Sequence, residues 1–159
     1  MPFSGRKVPI NNSIINDLHF ECLERMYLKS NVNTMLFDTT TCKITAERAE
    51  IGLTISEKYF HALGAIHGSV YFKLLDDAAF FAVNSVVSDF FVLTTSFTIN
   101  LLRPANHGTL KAVGRLKFKS KDSFVAEAVL YNEDGKEIAT GTGNFMKSKI
   151  ELTEKIGYQ

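Results

Sequence analysis

The chain has 159 residues, 45% of them hydrophobic and 22% charged, a composition that supports one folded domain with its own core and excludes a disordered chain. Its 18 Lys and Arg against 17 Asp and Glu leave a net charge of +1, so no global field selects nucleic acid or an anionic membrane over a small-molecule partner. No run approaches the roughly 20 apolar residues of a membrane span.

Near the start, Arg6 and Lys7 are followed by Asn11, Asn12, Asn16 and Asp17, which interrupt any signal-peptide core, so the expected location is the cytoplasm. Ser13 is placed to cap a helix whose apolar residues Ile14, Ile15, Leu18, Cys22, Leu23 and Met26 recur at helical spacing, ending near Lys29 and Ser30. From Asn33 the chain turns to strand, with two Thr- and Ile-rich runs over 39–45 and 49–55 and a bend at Ala46 and Glu47. A loop over 58–66 leads into a helix from His67 to about Val86. Small and apolar residues lie on nearly every side of it, and a helix apolar all round is a buried one.

The remainder reads as an antiparallel meander. A strand over 90–102 is stopped by Arg103-Pro104 and turned by Asn106-His107-Gly108. Residues 111–119 alternate strictly, Ala112, Gly114, Leu116 and Phe118 facing one way. Residues 124–131 alternate too, Asp134-Gly135 makes a hairpin, and a last strand over 136–146 is loosened by Gly141 and Gly143. The class is α+β: a curled antiparallel sheet wrapped around a long central helix, with an extra N-terminal helix. The expected division is a helical extension over 1–32, the main domain over 33–150 and a tail over 151–159. Cys22 and Cys42 stand in no CxxC and near no His pair, so both are read as buried, reduced thiols with no metal site and no disulfide.

Two carboxylates, Asp76 and Asp77, fall in the middle of the most apolar helix. Burial and a neighbouring carboxylate both disfavour ionisation, which makes one of them a candidate acid or base. Lys73 lies within reach of either, so one Asp is open to the plainer role of an ion-paired residue. The pair diverges by about 100° on the helix and does not share one environment. His67-Gly68 opens the same helix, where free N–H groups favour a developing oxyanion. Asp76 is about 13.5 Å further along the axis, too far for both to act on one atom of one chain. If both act, they do so across a two-fold dimer.

The run His61-Ala-Leu-Gly64-Ala-Ile-His67-Gly68-Ser-Val-Tyr-Phe-Lys-Leu-Leu-Asp76-Asp-Ala resembles the signature of hotdog-fold acyl-CoA thioesterases of the phenylacetate-pathway branch. The resemblance extends through the Asn-x-x-Arg-Pro ending at Pro104 to the strands before Met146 and leaves residues 1–32 outside. It implies hydrolysis of an acyl-CoA thioester with Asp76 as the catalytic carboxylate, either general base or nucleophile. The Gly68 amide of the partner subunit would polarise the carbonyl, and His67 would position that turn. Thr94 matches a strand position near the attacking water. Ser69, Phe72 and Ser96 are further substrate-contact candidates. The segment Lys119, Ser120, Lys121 to Phe124 matches the stretch over which the family lays coenzyme A, with Lys117, Lys119 and Lys121 near its phosphates. Coenzyme A enters as part of the substrate, so no separate cofactor or metal is implied.

The sequence departs from the family pattern at three places: His61 stands where Asn is usual, Ser69 where a second Gly is usual, and Lys119-Ser-Lys121-Asp122 where basic-x-Gly-basic is common. Phe72, Phe80 and Phe81 fill a core or line an acyl or aryl pocket. Two other readings are an acyl-thioester hydratase or dehydratase, and a non-catalytic acyl-CoA-binding dimer. The resemblance further implies a homodimer that associates to a tetramer, with no nucleic acid or membrane partner.

Overall fold

The computed structural model describes residues 12–159, and the signal-peptide reading over residues 1–10 lies outside them, as does the side chain of Ser13. Helix α1 spans Asn12–Leu28 and is followed by a short helix α2, Asn31–Met35. Strands β1 (Thr41–Thr45) and β2 (Arg48–Thr54) form a hairpin, a 3-10 turn covers Glu57–Tyr59, and the long helix α3 runs Gly68–Asn84. Strands β3 (Phe90–Leu101), β4 (Thr109–Lys119), β5 (Ser123–Tyr131) and β6 (Glu137–Glu151) complete one antiparallel sheet in the order β1-β2-β4-β5-β6-β3. Strands β1 and β3 are its edges.

The sheet grips α3 because its inward residues are small where the helix crosses. Ala112, Ala126 and Ala128 are buried on β4 and β5, and the register pairs Gly114 with Ala128 and Leu116 with Ala126. A Cβ on Gly114 would lie 2.0 Å from the Ala78 carbonyl oxygen and 2.6 Å from the Ala79 nitrogen, so backbone meets backbone at this crossing. Leu74, Leu75 and Val83 of α3 are fully enclosed there, each contributing roughly 1.5–3 kcal/mol over an exposed position. Gly141 and Gly143, which the sequence suggests loosen the last strand, instead seat the ring of Phe97 from β3, and β6 continues for 15 residues.

Three local readings are corrected. Where strand was expected from Asn33, the chain forms α2, because the Asn33 amide turns back and donates to the Tyr27 carbonyl at 2.8 Å, a local bond that competes with the extended conformation. On β4 the alternation breaks at a bulge between Leu116 and Phe118, which leaves Phe118 59% exposed instead of inside. Cys42 is half-buried, not buried, although burial still pushes its thiol up. No helix among the described residues is long and apolar enough to cross a membrane.

The elements outside the sheet are tied to the end of α3. His19 of α1 bonds the Asn84 carbonyl through Nε2 (2.9 Å) and the Tyr158 hydroxyl through Nδ1 (2.8 Å). Asn84, fully buried, donates to the Val87 and Phe90 carbonyls and accepts from the Val92 amide, which sets the turn into β3.

Candidate active site

Helical geometry turns the two adjacent acids of α3 about 100° apart, so they take different partners although both border one cavity. Asp76 faces β3, where the Thr94 hydroxyl donates to its Oδ1 at 2.9 Å. Thr94 reaches it because β3 carries a bulge: Thr94 pairs with Phe145 and Ser96 with Asn144, leaving Thr95 as the extra residue. Asp76 opens on a cavity of about 810 Å³ whose sheet and helix side is Phe80, Phe91, Leu93 and Thr94. Burial pushes its carboxyl up to about 6, the Thr94 hydrogen bond opposes this, and the negative charge of Asp77 adds to it. A carboxylate with one hydrogen-bond donor in an apolar hollow suits proton abstraction or direct attack near neutral pH.

Asp77 turns toward α1, where its Oδ2 takes two donors. Lys73 donates to its Oδ2 at 2.5 Å and the Tyr27 hydroxyl to the same oxygen at 2.6 Å. The Lys73 and Asp77 side chains are only 12% and 22% exposed, and the ammonium lies 4.7 Å from the Phe37 ring centre and 5.0 Å from that of Tyr27. Burial, then Asp77, drives the Tyr27 phenol well above its ordinary range, so it remains a donor. Of the two acids that Lys73 can reach in sequence, the structure pairs it with Asp77 and leaves Asp76 without an ion pair, the more distant Lys73 charge lowering its carboxyl only as the smallest of four influences. Tyr27 carries no local sequence signal of this role, since its partner is 50 residues away.

The start of α3 forms a second hollow, of about 540 Å³, with His61, His67, Gly68 and Tyr71 on its wall. His67 is the N-cap: its Nδ1 accepts the Ser69 amide at 3.1 Å and lies 2.8 Å from the Ser69 hydroxyl. Its carbonyl takes the Val70 amide. Among the described residues this leaves the Gly68 N–H as the free donor of the helix start. His61 is brought beside this turn, where its Nδ1 accepts the Leu63 amide at 3.1 Å and shapes the loop. Within one chain the hollow is separate from that of Asp76, and Gly68 lies about 12 Å of helix rise from it.

The other candidates are dispersed. Phe72 is 41% exposed and packs edge-on against Phe97 at 5.7 Å between ring centres, outside the Asp76 cavity. Ser96 is exposed on β3 and accepts from the Asn144 amide at 2.9 Å. At the β4–β5 hairpin, Lys119, Ser120 and Lys121 line a hollow of about 340 Å³ with Lys147 and Asp89, and Phe124 forms its floor. Ser120 holds the turn through the Ser123 carbonyl. Lys117 is directed away from this hollow and ion-paired with Glu127 at 3.0 Å.

The family profile described as the Thioesterase superfamily matches residues 63–139, which include Gly68, Asp76 and Thr94. No curated protein sequence matches the chain. Among solved structures, the PaaI protein of the phenylacetic acid degradation operon of E. coli superposes with a TM-score of 0.78 at 21% identity, covering 87% of this chain and 99% of its own. A thioesterase family protein from Silicibacter pomeroyi gives 0.73 at 23%, covering 80% and 96%. A phenylacetic acid degradation-related protein from Ralstonia eutropha JMP134 gives 0.67 at 21%, covering 79% and 98%. The Thioesterase superfamily profile thus falls on the helix and strands that carry the site, and along nearly the full length of these structures the chain shares their fold, the hotdog fold.

Proposed function

We propose that the protein hydrolyses acyl-CoA thioesters at a site made by two copies of the chain. Asp76 of one copy activates water or attacks the thioester carbonyl, Thr94 orients it, and the Gly68 amide of the other copy stabilises the tetrahedral oxyanion. The β4–β5 hairpin, with Lys119 and Lys121, receives the coenzyme A phosphates, and His61 and His67 shape the carbonyl turn. The observation that carries the reading is Asp76 itself: a carboxylate without an ion pair, held by one hydroxyl at 2.9 Å against a largely apolar cavity.

Dimerisation is supported by distance and by β3. The free amide and the acid of one chain sit too far apart to meet on one carbonyl. Strand β3, 12 residues long, bonds β6 on one side and ends the sheet on the other, an edge suited to a second copy. Hydrolysis of an acyl-CoA panel, followed by free thiol release, tests the activity. The D76N variant is expected to lose turnover while its circular dichroism and oligomeric state match the parent. Parent-like turnover in D76N overturns the assignment of Asp76, and loss of enoyl absorbance without thiol release favours a hydratase.

A further inference from the structure

The cavity at Asp76 has two walls of different origin. One is the helix and strand face of the superfamily-matched segment, with Phe80, Phe91 and Leu93. The other is built by two turns outside residues 63–139: the α1–α2 junction, which contributes Met26 and Val32, and the 3-10 turn Glu154–Ile156 after β6, which contributes Ile156. We infer that this second wall, with Val32 and Ile156 as its specificity-determining residues, selects an uncharged apolar acyl group, aliphatic or aryl. The inference rests on the proposed reaction for the meaning of the acyl group, though not for the existence of the pocket.

The two turns are fastened to each other and to the catalytic helix. Tyr158 bonds His19 at 2.8 Å, and the Arg25 Nε donates to the Gln159 carbonyl at 2.5 Å. Gly157, at φ 86°, lies against Met26, where an added Cβ would come within 3.6 Å of the Met26 Cα. Tyr27 reaches across to Asp77 on α3. The wall is therefore braced at fixed distance from Asp76. Across the cavity Phe80, Phe91 and Leu93 face Met26, Val32 and Ile156, and of the polar lining groups Tyr27 and Asp77 bond each other and Ser30 bonds the Tyr27 carbonyl. The lysines of the lining, Lys29 and Lys155, are exposed, so their charge stays with water and selects no buried counter-charge. Val32 is 46% exposed, so a larger side chain there projects into the cavity without disturbing the core.

The test uses the full chain and two ligand series. Non-hydrolysable S-alkyl-CoA thioethers from two to twelve carbons, with one arylalkyl member, are titrated for Kd, and the matching thioesters are assayed for kcat/KM. Affinity of the parent is expected to rise by roughly fourfold per buried methylene until the cavity fills. V32W is expected to stop that rise several carbons earlier and to lower the ratio of long-chain to short-chain kcat/KM by at least tenfold, and I156W to act in the same direction. Affinity that is flat with chain length in the parent, or variants whose length profile matches the parent, overturns the wall. Length-dependent Kd with no thiol release from any thioester overturns the hydrolytic reading and leaves the wall standing.

Discussion

Replacing Thr94 with Val keeps the shape of the side chain and removes the one hydrogen bond that favours the ionised form of Asp76. That bond, at 2.9 Å to Oδ1, lowers a carboxyl that burial otherwise pushes up to about 6. A hydrogen bond to a charged group contributes about 1.5–3 kcal/mol, and water reaching the half-buried carboxylate replaces part of it, so the lower end applies. At about 1.4 kcal/mol per tenfold, the acid limb of kcat/KM moves toward neutral by about one pH unit. At pH 7 the parent holds Asp76 ionised in about nine molecules of ten, and the variant in about half. The assay is thiol release across pH 4.5 to 9 on one saturable acyl-CoA. Above pH 8.5 the ionised fractions converge, so any remaining deficit measures lost orientation alone. An acid limb that stays in place or moves to lower pH refutes the role of Thr94, because a purely packing role changes the height of the profile and not its position.

The same carboxylate makes a stability prediction. Asp76 titrates near 3.8 when unfolded and near 6 when folded, so the folded chain holds the extra proton and stability falls as pH rises through that window, the cost being complete above it. D76N, allowing for partial solvent access, is expected to stabilise the fold by about 1–2 kcal/mol at pH 8 and by little at pH 4 in urea titrations; equal effects at both pH values contradict it. Replacing Lys73 with Met strands Asp77 in a largely enclosed site and is expected to cost about 2–4 kcal/mol. The double variant K73M/D77L is expected to recover most of that loss, and equal losses in the single and double variants argue against the buried pair. G114A drives a methyl into the backbone of α3 at Ala78, 2.0 Å from its carbonyl oxygen, and is expected to cost about 3 kcal/mol, read as a lowered thermal midpoint.

Much of this was legible in the residues because it depends on local periodicity. The alternating β4 and β5, the Asp-Gly turn and the all-round apolar α3 declare themselves within a dozen residues. Asp76 and Asp77 stand out because charge is out of place on that helix. What was not legible depends on partners distant in the chain. Lys73 is in reach of either acid by spacing, and only Tyr27, packed from α1, selects Asp77. The bulge that aims Thr94 at Asp76 is a product of strand pairing with Phe145 and Asn144, which a single strand's sequence does not encode. Val32 and Ile156 meet at one cavity from opposite ends of the described chain, and neither turn carries a motif.

The division of labour between copies can be tested by complementation. Gly68 occupies the first helical position, after His67 with φ −67° and ψ 148°, a backbone that accepts proline at the next residue without strain. G68P therefore removes the one N–H proposed to meet the oxyanion while the helix is retained. D76N and G68P are each expected to be inactive alone. Refolded together in equal amounts, half of the dimers are hybrids. Each hybrid has one dead site bearing both changes and one intact site that combines the G68P chain's Asp76 with the D76N chain's Gly68 amide. Activity should thus recover to about a quarter of the parent level. If acid and amide came from the same chain, every site in the mixture would carry one lesion and no recovery would occur. The result separates a site shared between copies from one contained in a single chain, and it does so without requiring knowledge of the acyl group.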